Sequence, residues 1–206
     1  MNGKTTLTVG LGLICAGATV IGGRAMLQYE STPGKVGSVS KSWPTSSAIH
    51  LSHDFPTLMM FAHPQCPCSR ASMDELAQVV AHIQRKAQIY VLFYTPKGSG
   101  RDWEYSNLRR TAEAIPGVTV LSDVDGAEAV RFGAETSGHT FVFDRDGRLL
   151  FNGGITASRG HSGDNAGESS IVSLINNQAA DRSQTFVFGC ALGNREKQGR
   201  APLCLR

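Results

Sequence analysis

The sequence predicts an α/β domain, a three-layer α/β/α sandwich around a central mixed sheet, preceded by an N-terminal hydrophobic helix. Three observations predict it. Short apolar runs alternate with segments of helical periodicity, the order that places parallel strands side by side through crossover helices. One run, "QIYVLFYT" at 88–95, is apolar almost without interruption, as a central strand buried on both faces would be. Near the end, "HTFVFD" and "RLLFNGG" flank "RDG", a hairpin signal that adds an antiparallel edge.

The elements follow in order. "TLMMFA" (57–62) is a short apolar run ending at a turn, as a buried strand does. From Ser69 the period changes: Met73, Leu76, Val80, Ile83 and Ala87 recur at three- and four-residue steps and share one helical face, while Asp74, Glu75, Gln78, His82 and Arg85 fall elsewhere. Ser69 is the predicted cap. After the strand at 88–95, a helix fits 103–115, with Tyr105, Leu108, Ala112 and Ile115 on one stripe and Pro116–Gly117 as its stop. "VTVLS" (118–122) is a third strand, and "DGAEAVRFG" (125–133) a short helix ended by Gly133. The hairpin comes next, then a last helix over about 167–178. The resulting order is β-α-β-α-β-α-β-β-α.

Around this domain (53–180) the chain carries three further segments. Residues 1–27 hold an uncharged run from Leu7 to Gly23, between Lys4 and Arg24. It sits at the lower edge of the roughly 17–25 residues that cross a bilayer. It reads as an uncleaved membrane anchor or, with "AGA" at 16–18 as a cleavage-like site, a signal peptide. Cys15 is a poor lipoprotein cysteine, because the bulky Ile14 precedes it. Either reading exports the rest of the chain. Residues 28–52 are rich in Ser, Thr, Pro and Gly and read as a linker. Residues 181–206 form a C-terminal extension with two cysteines, Cys190 and Cys204. The net charge of +3 and the lack of a basic stripe with interleaved aromatics argue against nucleic acid.

The candidate chemistry lies in "FAHPQCPCSRASMDEL" (61–76), at the turn from the first strand into the first domain helix. A cysteine there has its thiolate stabilised by free backbone N–H groups and the helix dipole, so its pKa falls and it becomes a nucleophile. A nucleophile of this kind has to be reachable, so Cys66 is expected at the surface of the turn. Outside the anchor there are four cysteines, 66, 68, 190 and 204, and in an exported chain an even count permits disulfides. A Cys66–Cys68 bond closes a very small ring around Pro67; strain of that kind makes a couple relatively oxidising. Cys190, after the strand-like "TFVFGCAL", is the competing partner for either cysteine, or it pairs with Cys204 as a staple over the tail.

The same stretch resembles the thioredoxin superfamily, and in particular its membrane-tethered TlpA/ResA type, whose members carry a segment like F-W-A-S-W-C-P-P-C-R-A-E-M-P-E-L. The two align without a gap. Phe61, Cys66, Pro67, Arg70, Met73, Glu75 and Leu76 match. "DVDGAEAVRFGAETSGHTFVFDRDG" similarly resembles a later motif of that type, and the likeness covers about residues 55–178. A CPC triplet in this place also resembles RedB-type bacterial proteins. The resemblance implies a thioredoxin-like fold and thiol–disulfide exchange with a protein partner. It makes Cys66 the nucleophile and Cys68 the resolving thiol, with no cofactor, in a domain held on the extracytoplasmic side of a bacterial membrane by a single span. Two positions depart. The family's second cysteine falls on Ser69, and its cis-proline falls on Gly138, followed by His139.

Two other classes are open to the same residues. His63, Cys66 and Cys68 form a candidate soft-metal set, with His139 or His161 to complete it, since thiolate and imidazole suit Cu(I) or Zn(II). The other reading of His63 is a turn residue ahead of Pro64. A peroxidase would need Thr or Ser where His63 stands. In the polar loop 153–170, Arg159, His161 and Asp164 are candidate cleft residues, with Asp164 or Asn165 as a cap for the last helix. Arg70 is either an electrostatic support for the thiolate or an exposed first-turn arginine.

Overall fold

In the computed structural model, which describes residues 3–100, 103 and 105–193 and side chains from residue 7, the chain divides into two compact units at Thr32–Pro33. The first holds helix α1 (Gly3–Ser31). Its stretch Leu7–Ser31 is long and apolar enough to cross a membrane by length and composition, and none of its apolar window is buried.

The second unit contains β1 (Thr57–Ala62), α2 (Ser69–Ile83), β2 (Gln88–Thr95), α3 (Asn107–Glu113), β3 (Val118–Val124), α4 (Ala127–Phe132), β4 (His139–Phe143), β5 (Leu149–Gly153) and α5 (Ala166–Ile175). The five strands form one sheet in the order β3-β2-β1-β4-β5. β1 pairs parallel with β2, and β2 with β3; β4 runs antiparallel to β1 and to β5. This mixed sheet with helices on both faces is the thioredoxin-like three-layer sandwich that the sequence predicts.

Period-two alternation along β1 divides the core. Leu58, Met60 and Ala62 face a layer built from α2, α3 and α5, through Met73, Leu76, Val79, Leu108, Ala112, Ile171 and Ile175. Met59 and Phe61 face the other way, onto Phe132 of α4 and onto Phe141 and Phe143. Each fully buried Phe, Leu or Met contributes about 1.5–3 kcal/mol over leaving it exposed.

The segment read as a linker is a difference from expectation. Val39, Trp43, Ile49 and Leu51 pack on that second core. Trp43 makes edge contacts with Phe132 and Phe143, with ring centroids 5.1 and 5.2 Å apart. The backbone is tied as well: Trp43 N–H donates to Gly147 O (2.7 Å), Leu149 N–H to Lys41 O (2.9 Å) and Gly37 N–H to Gly133 O (3.0 Å). Glu128 accepts from Ser47 Oγ and Ala48 N–H. Four apolar side chains spread through a Ser/Pro-rich stretch are enough to cover a sheet face that α4, only six residues long, leaves open.

Candidate functional site

The site is built where β1 ends. Beyond Ala62 the chain makes two tight turns: Cys66 N–H donates to His63 O (3.0 Å), and Ser69 N–H to Cys66 O (3.2 Å). These turns place Cys66 just ahead of α2 and make Cys68 its cap residue, with helical φ and ψ and no side-chain cap bond. Ser69, the expected cap, is instead buried inside the first turn, its hydroxyl 2.6 Å from that of Ser137.

The C-terminal extension completes the site. Residues 183–186 run along β5, with Asn152 N–H donating to Ser183 O and Gly154 N–H to Phe186 O. The chain then crosses to the 134–138 loop, where Ser137 N–H donates to Cys190 O (2.7 Å) and Leu192 N–H to Glu135 O (2.9 Å). "TFVF" is therefore not a regular strand; it is a strap, pinned at both ends. Gly189 is needed for the close approach, because a Cβ there would collide with the Ser137 carbonyl. Arg159, from the 153–165 loop, donates to Gly189 O.

The result is a cluster of three thiols. Cys66 Sγ lies 2.9 Å from Cys190 Sγ, and the sulfurs of Cys66, Cys68 and Cys190 all lie within 4.8 Å of one another. No disulfide joins these three sulfurs to one another. Cys66 is only 4% exposed, whereas Cys68 and Cys190 are half-buried. Cys66 is thus not the openly reachable thiol that the sequence argument asked for: the strap lies over it, and the outer face of the cluster belongs to its two neighbours. Cys204, the other candidate partner, lies outside the described residues.

Electrostatics distinguish the sulfurs. When Cys66 is the ionised member, the Cys190 side chain hydrogen-bonds to it most strongly, then Cys68 and, more weakly, Ser69. Together they outweigh burial and hold its pKa far below the ordinary thiol value. Cys68 goes the other way. Its own hydrogen bond with Cys190 lowers its pKa, but the hydrogen bond to Cys66, burial and repulsion from the Cys66 charge together raise it, against a smaller lowering from Arg159. One proton is lost easily from this cluster and the next is held.

The predicted site residues divide. Cys66, Cys68 and Cys190 come together. His63 does not join them: its ring stacks on Tyr94 (5.9 Å) and meets the edge of Trp103 (5.2 Å). Its Nδ1 accepts from Gln65 N–H (3.2 Å), and its own N–H donates to Ser137 Oγ (2.7 Å). Among the described residues the sulfurs alone form the metal-capable group here, so of the two readings of His63 the turn residue fits and the ligand does not. His139 is 0% exposed in β4, stacked on Phe141 at 4.2 Å, and neither ring nitrogen makes a hydrogen bond of good geometry. Burial holds its pKa near 3, offset only slightly by Asn152 close by. His161 is exposed beside Arg159 O. Asn165, not Asp164, caps α5, accepting from Glu168 N–H (2.9 Å). Arg70 is exposed.

Two contributors escaped the sequence reading. Ser137 joins His63, Ser69 and Cys190, with no sequence signal beyond its place before Gly138. Glu75, which helical periodicity sets off the apolar face, is 3% exposed. It accepts from Gly163 N–H (2.8 Å) and Asn165 Nδ2 (3.0 Å), anchoring the loop that carries Arg159 to α2. Gly138 is trans, with φ +89°.

A thioredoxin-like domain with a three-cysteine cluster at the β1–α2 turn is the class that this fold and site define. No family model matches the sequence, and no curated protein matches it. Among solved structures the chain is similar to an uncharacterized conserved protein from Geobacillus kaustophilus, with a TM-score of 0.57 and 17% identity over 83% of this chain and 95% of that one. It is equally similar to a hypothetical protein from Sinorhizobium meliloti 1021, with a TM-score of 0.57 and 16% identity over 79% and 96%. A putative thiol:disulfide interchange protein DsbE from Chlorobium tepidum matches with a TM-score of 0.41 and 17% identity over 59% and 84%. At these identities the likeness is one of fold.

Proposed function

We propose that this protein is an exported, membrane-anchored thiol–disulfide oxidoreductase acting on a protein partner, with Cys66 as the attacking thiolate. One observation carries the reading: a cysteine whose pKa is strongly lowered stands at the start of α2 with a second thiol, Cys190, 2.9 Å away. A thiolate is the nucleophile of exchange, and a neighbouring thiol releases the intermediate.

In the reducing direction the Cys66 thiolate attacks one sulfur of a partner disulfide. The S–S bond breaks, the departing partner sulfur leaves as thiolate and takes a proton, and Cys66 is joined to the partner. A second thiol of the cluster, Cys190 by proximity or Cys68, loses its proton and attacks Cys66 Sγ. The partner leaves with both sulfurs reduced, and the domain keeps the two-electron oxidation as an internal disulfide. The reverse sequence oxidises a partner dithiol. Because the strap covers Cys66, a partner gains access as residues 189–191 are displaced, and the outer thiols meet it first.

Export and anchoring rest on α1, whose Leu7–Ser31 stretch has the length and apolarity of a membrane span; an extracytoplasmic compartment is where such a cluster can be oxidised.

The test is disulfide exchange by the full-length chain with a model protein disulfide such as insulin. Cys66→Ser should abolish exchange while circular dichroism stays that of the parent. Full exchange by this variant would remove Cys66 from the reaction and overturn the reading.

A further inference from the structure

The three thiols do more than pair. They come from two distant parts of the chain and converge on one small volume, all sulfurs within 4.8 Å of one another. We propose that the reduced cluster is a binding site for a single Cu(I) ion, held by the sulfurs of Cys66, Cys68 and Cys190.

The donor set selects the ion. Thiolate sulfur is soft and favours Cu(I) and Zn(II) over harder cations. Coordination number then separates those two. Zinc in a protein site takes four ligands, in structural sites all from side chains. Among the described residues this cluster offers three, and the nearest histidine in sequence, His63, has its Nδ1 occupied by Gln65 N–H and its ring held against Tyr94 and Trp103. Cu(I) is satisfied by three thiolates in a trigonal arrangement. With metal–sulfur distances of about 2.3 Å such a site spaces its sulfurs about 4 Å apart. The 2.9 Å between Cys66 and Cys190 and the 4.8 Å limit on the set bracket that spacing, so side-chain rotation suffices.

The frame is already in place. Cys66 and Cys68 are fixed by consecutive turns, and Cys190 by Ser137 N–H on its carbonyl and Arg159 on the carbonyl before it. Three thiolates and one monovalent cation leave a net charge of −2. The N-terminus of the 15-residue α2 and the Arg159 charge that acts on Cys68 both offset it. Cys66 forms the floor, and the half-buried Cys68 and Cys190 form the mouth, giving an ion a path from solvent.

The reduced full-length protein, kept anaerobic, is titrated with Cu(I) against a chromophoric Cu(I) chelator, and separately with Zn(II). One equivalent of Cu(I) should bind, in preference to Zn(II). Cys68→Ser and Cys190→Ser should each weaken binding by more than the roughly 10–100-fold that losing an outer supporting group costs, and His63→Ala should leave affinity unchanged. X-ray absorption of the unsubstituted protein, which needs no variant to fold, should show three sulfur neighbours and no imidazole. Absence of Cu(I) binding, preference for Zn(II), full affinity in Cys190→Ser, loss in His63→Ala, or a two-sulfur site would each overturn the proposal. Copper affinity and insulin exchange are separate readouts, so either reading can fail alone.

Discussion

Cys66 and Cys190 stand 124 positions apart in sequence, and their sulfur atoms lie 2.9 Å apart in space. That proximity makes the C-terminal strap part of the site. It also ranks the resolving thiols: once a partner sulfur occupies Cys66, Cys190 is the nearer attacker, and Cys68 sits in a ring closed only by Pro67. Cys190→Ser should therefore accumulate the mixed disulfide with insulin, several-fold more than Cys68→Ser does. Non-reducing electrophoresis with mass spectrometry of the trapped species reads the ratio. Accumulation in Cys68→Ser alone would return the resolving role to Cys68.

The lowered pKa of Cys66 has a pH signature. Its largest cause is the Cys190 side chain, so Cys190→Ala should move the thiolate titration of Cys66 upward, followed by ultraviolet thiolate absorbance of the reduced protein. Stability follows the same sign. Below the unfolded value of 9.0 the unfolded chain holds a proton at this position that the native thiolate lacks. Reduced protein should therefore gain stability as pH rises toward 9, at up to about 1.4 kcal/mol per pH unit from this group, and level off above it. Denaturant unfolding between pH 6 and 9 measures the slope. Cys66→Ser should flatten it; equal slopes would mean the native thiol is not ionised.

His139 makes an acid-side expectation. Its pKa falls from 6.5 to about 3 because the ring is buried. Between those values the unfolded chain takes up a proton that the native state refuses, so stability is lost as pH falls through that window, at about 1.4 kcal/mol per unit. His139→Leu removes the titration and two buried ring nitrogens without hydrogen bonds. It should be near-neutral at pH 7.5 and more stable than the parent at pH 5. Parallel unfolding curves for parent and variant would show that the ring finds a proton acceptor in the native state.

Local pattern carries the sheet and its helices: the Thr57–Ala62 and Gln88–Thr95 strands fall on the apolar runs, and α2 begins at Ser69 as its periodicity demands. Cys66 and Cys68 were legible for the same reason, lying where a strand pattern meets a helix pattern. What escaped was long-range. Trp43 and Leu51 sit in a stretch whose composition signals a linker, and only an uncovered Phe132–Phe143 surface tells them where to go. The contact of Cys190 with Cys66 depends on Ser137, Gly189 and Arg159 meeting across the fold, and no periodicity encodes that. Glu75 looked solvated because its partners, Gly163 and Asn165, come from a loop 88 to 90 residues away.

Gly138 stands where the motif that this sequence resembles has a proline, and its geometry is incompatible with proline. Its φ is +89°, where proline requires about −65°. Its N–H donates to Phe61 O at 2.7 Å, a bond proline cannot make. A Cβ at this position would stand 2.9 Å from Ser72 Oγ. Gly138→Ala should therefore cost about 1–2 kcal/mol from backbone conformation alone, and Gly138→Pro at least about 3 kcal/mol, measured by denaturant unfolding of the reduced chain. The damage should reach the chemistry as well. Ser137, the adjoining residue, holds Cys190 through its N–H and meets His63 and Ser69 through its hydroxyl. In Gly138→Ala the Cys66–Cys190 disulfide should form more slowly under a fixed glutathione buffer, while oxidation of a Cys66–Cys68 pair is less affected. If Gly138→Pro matches the parent in both stability and disulfide formation, the loop has a second conformation that accepts proline, and the positioning role assigned to Gly138 is wrong.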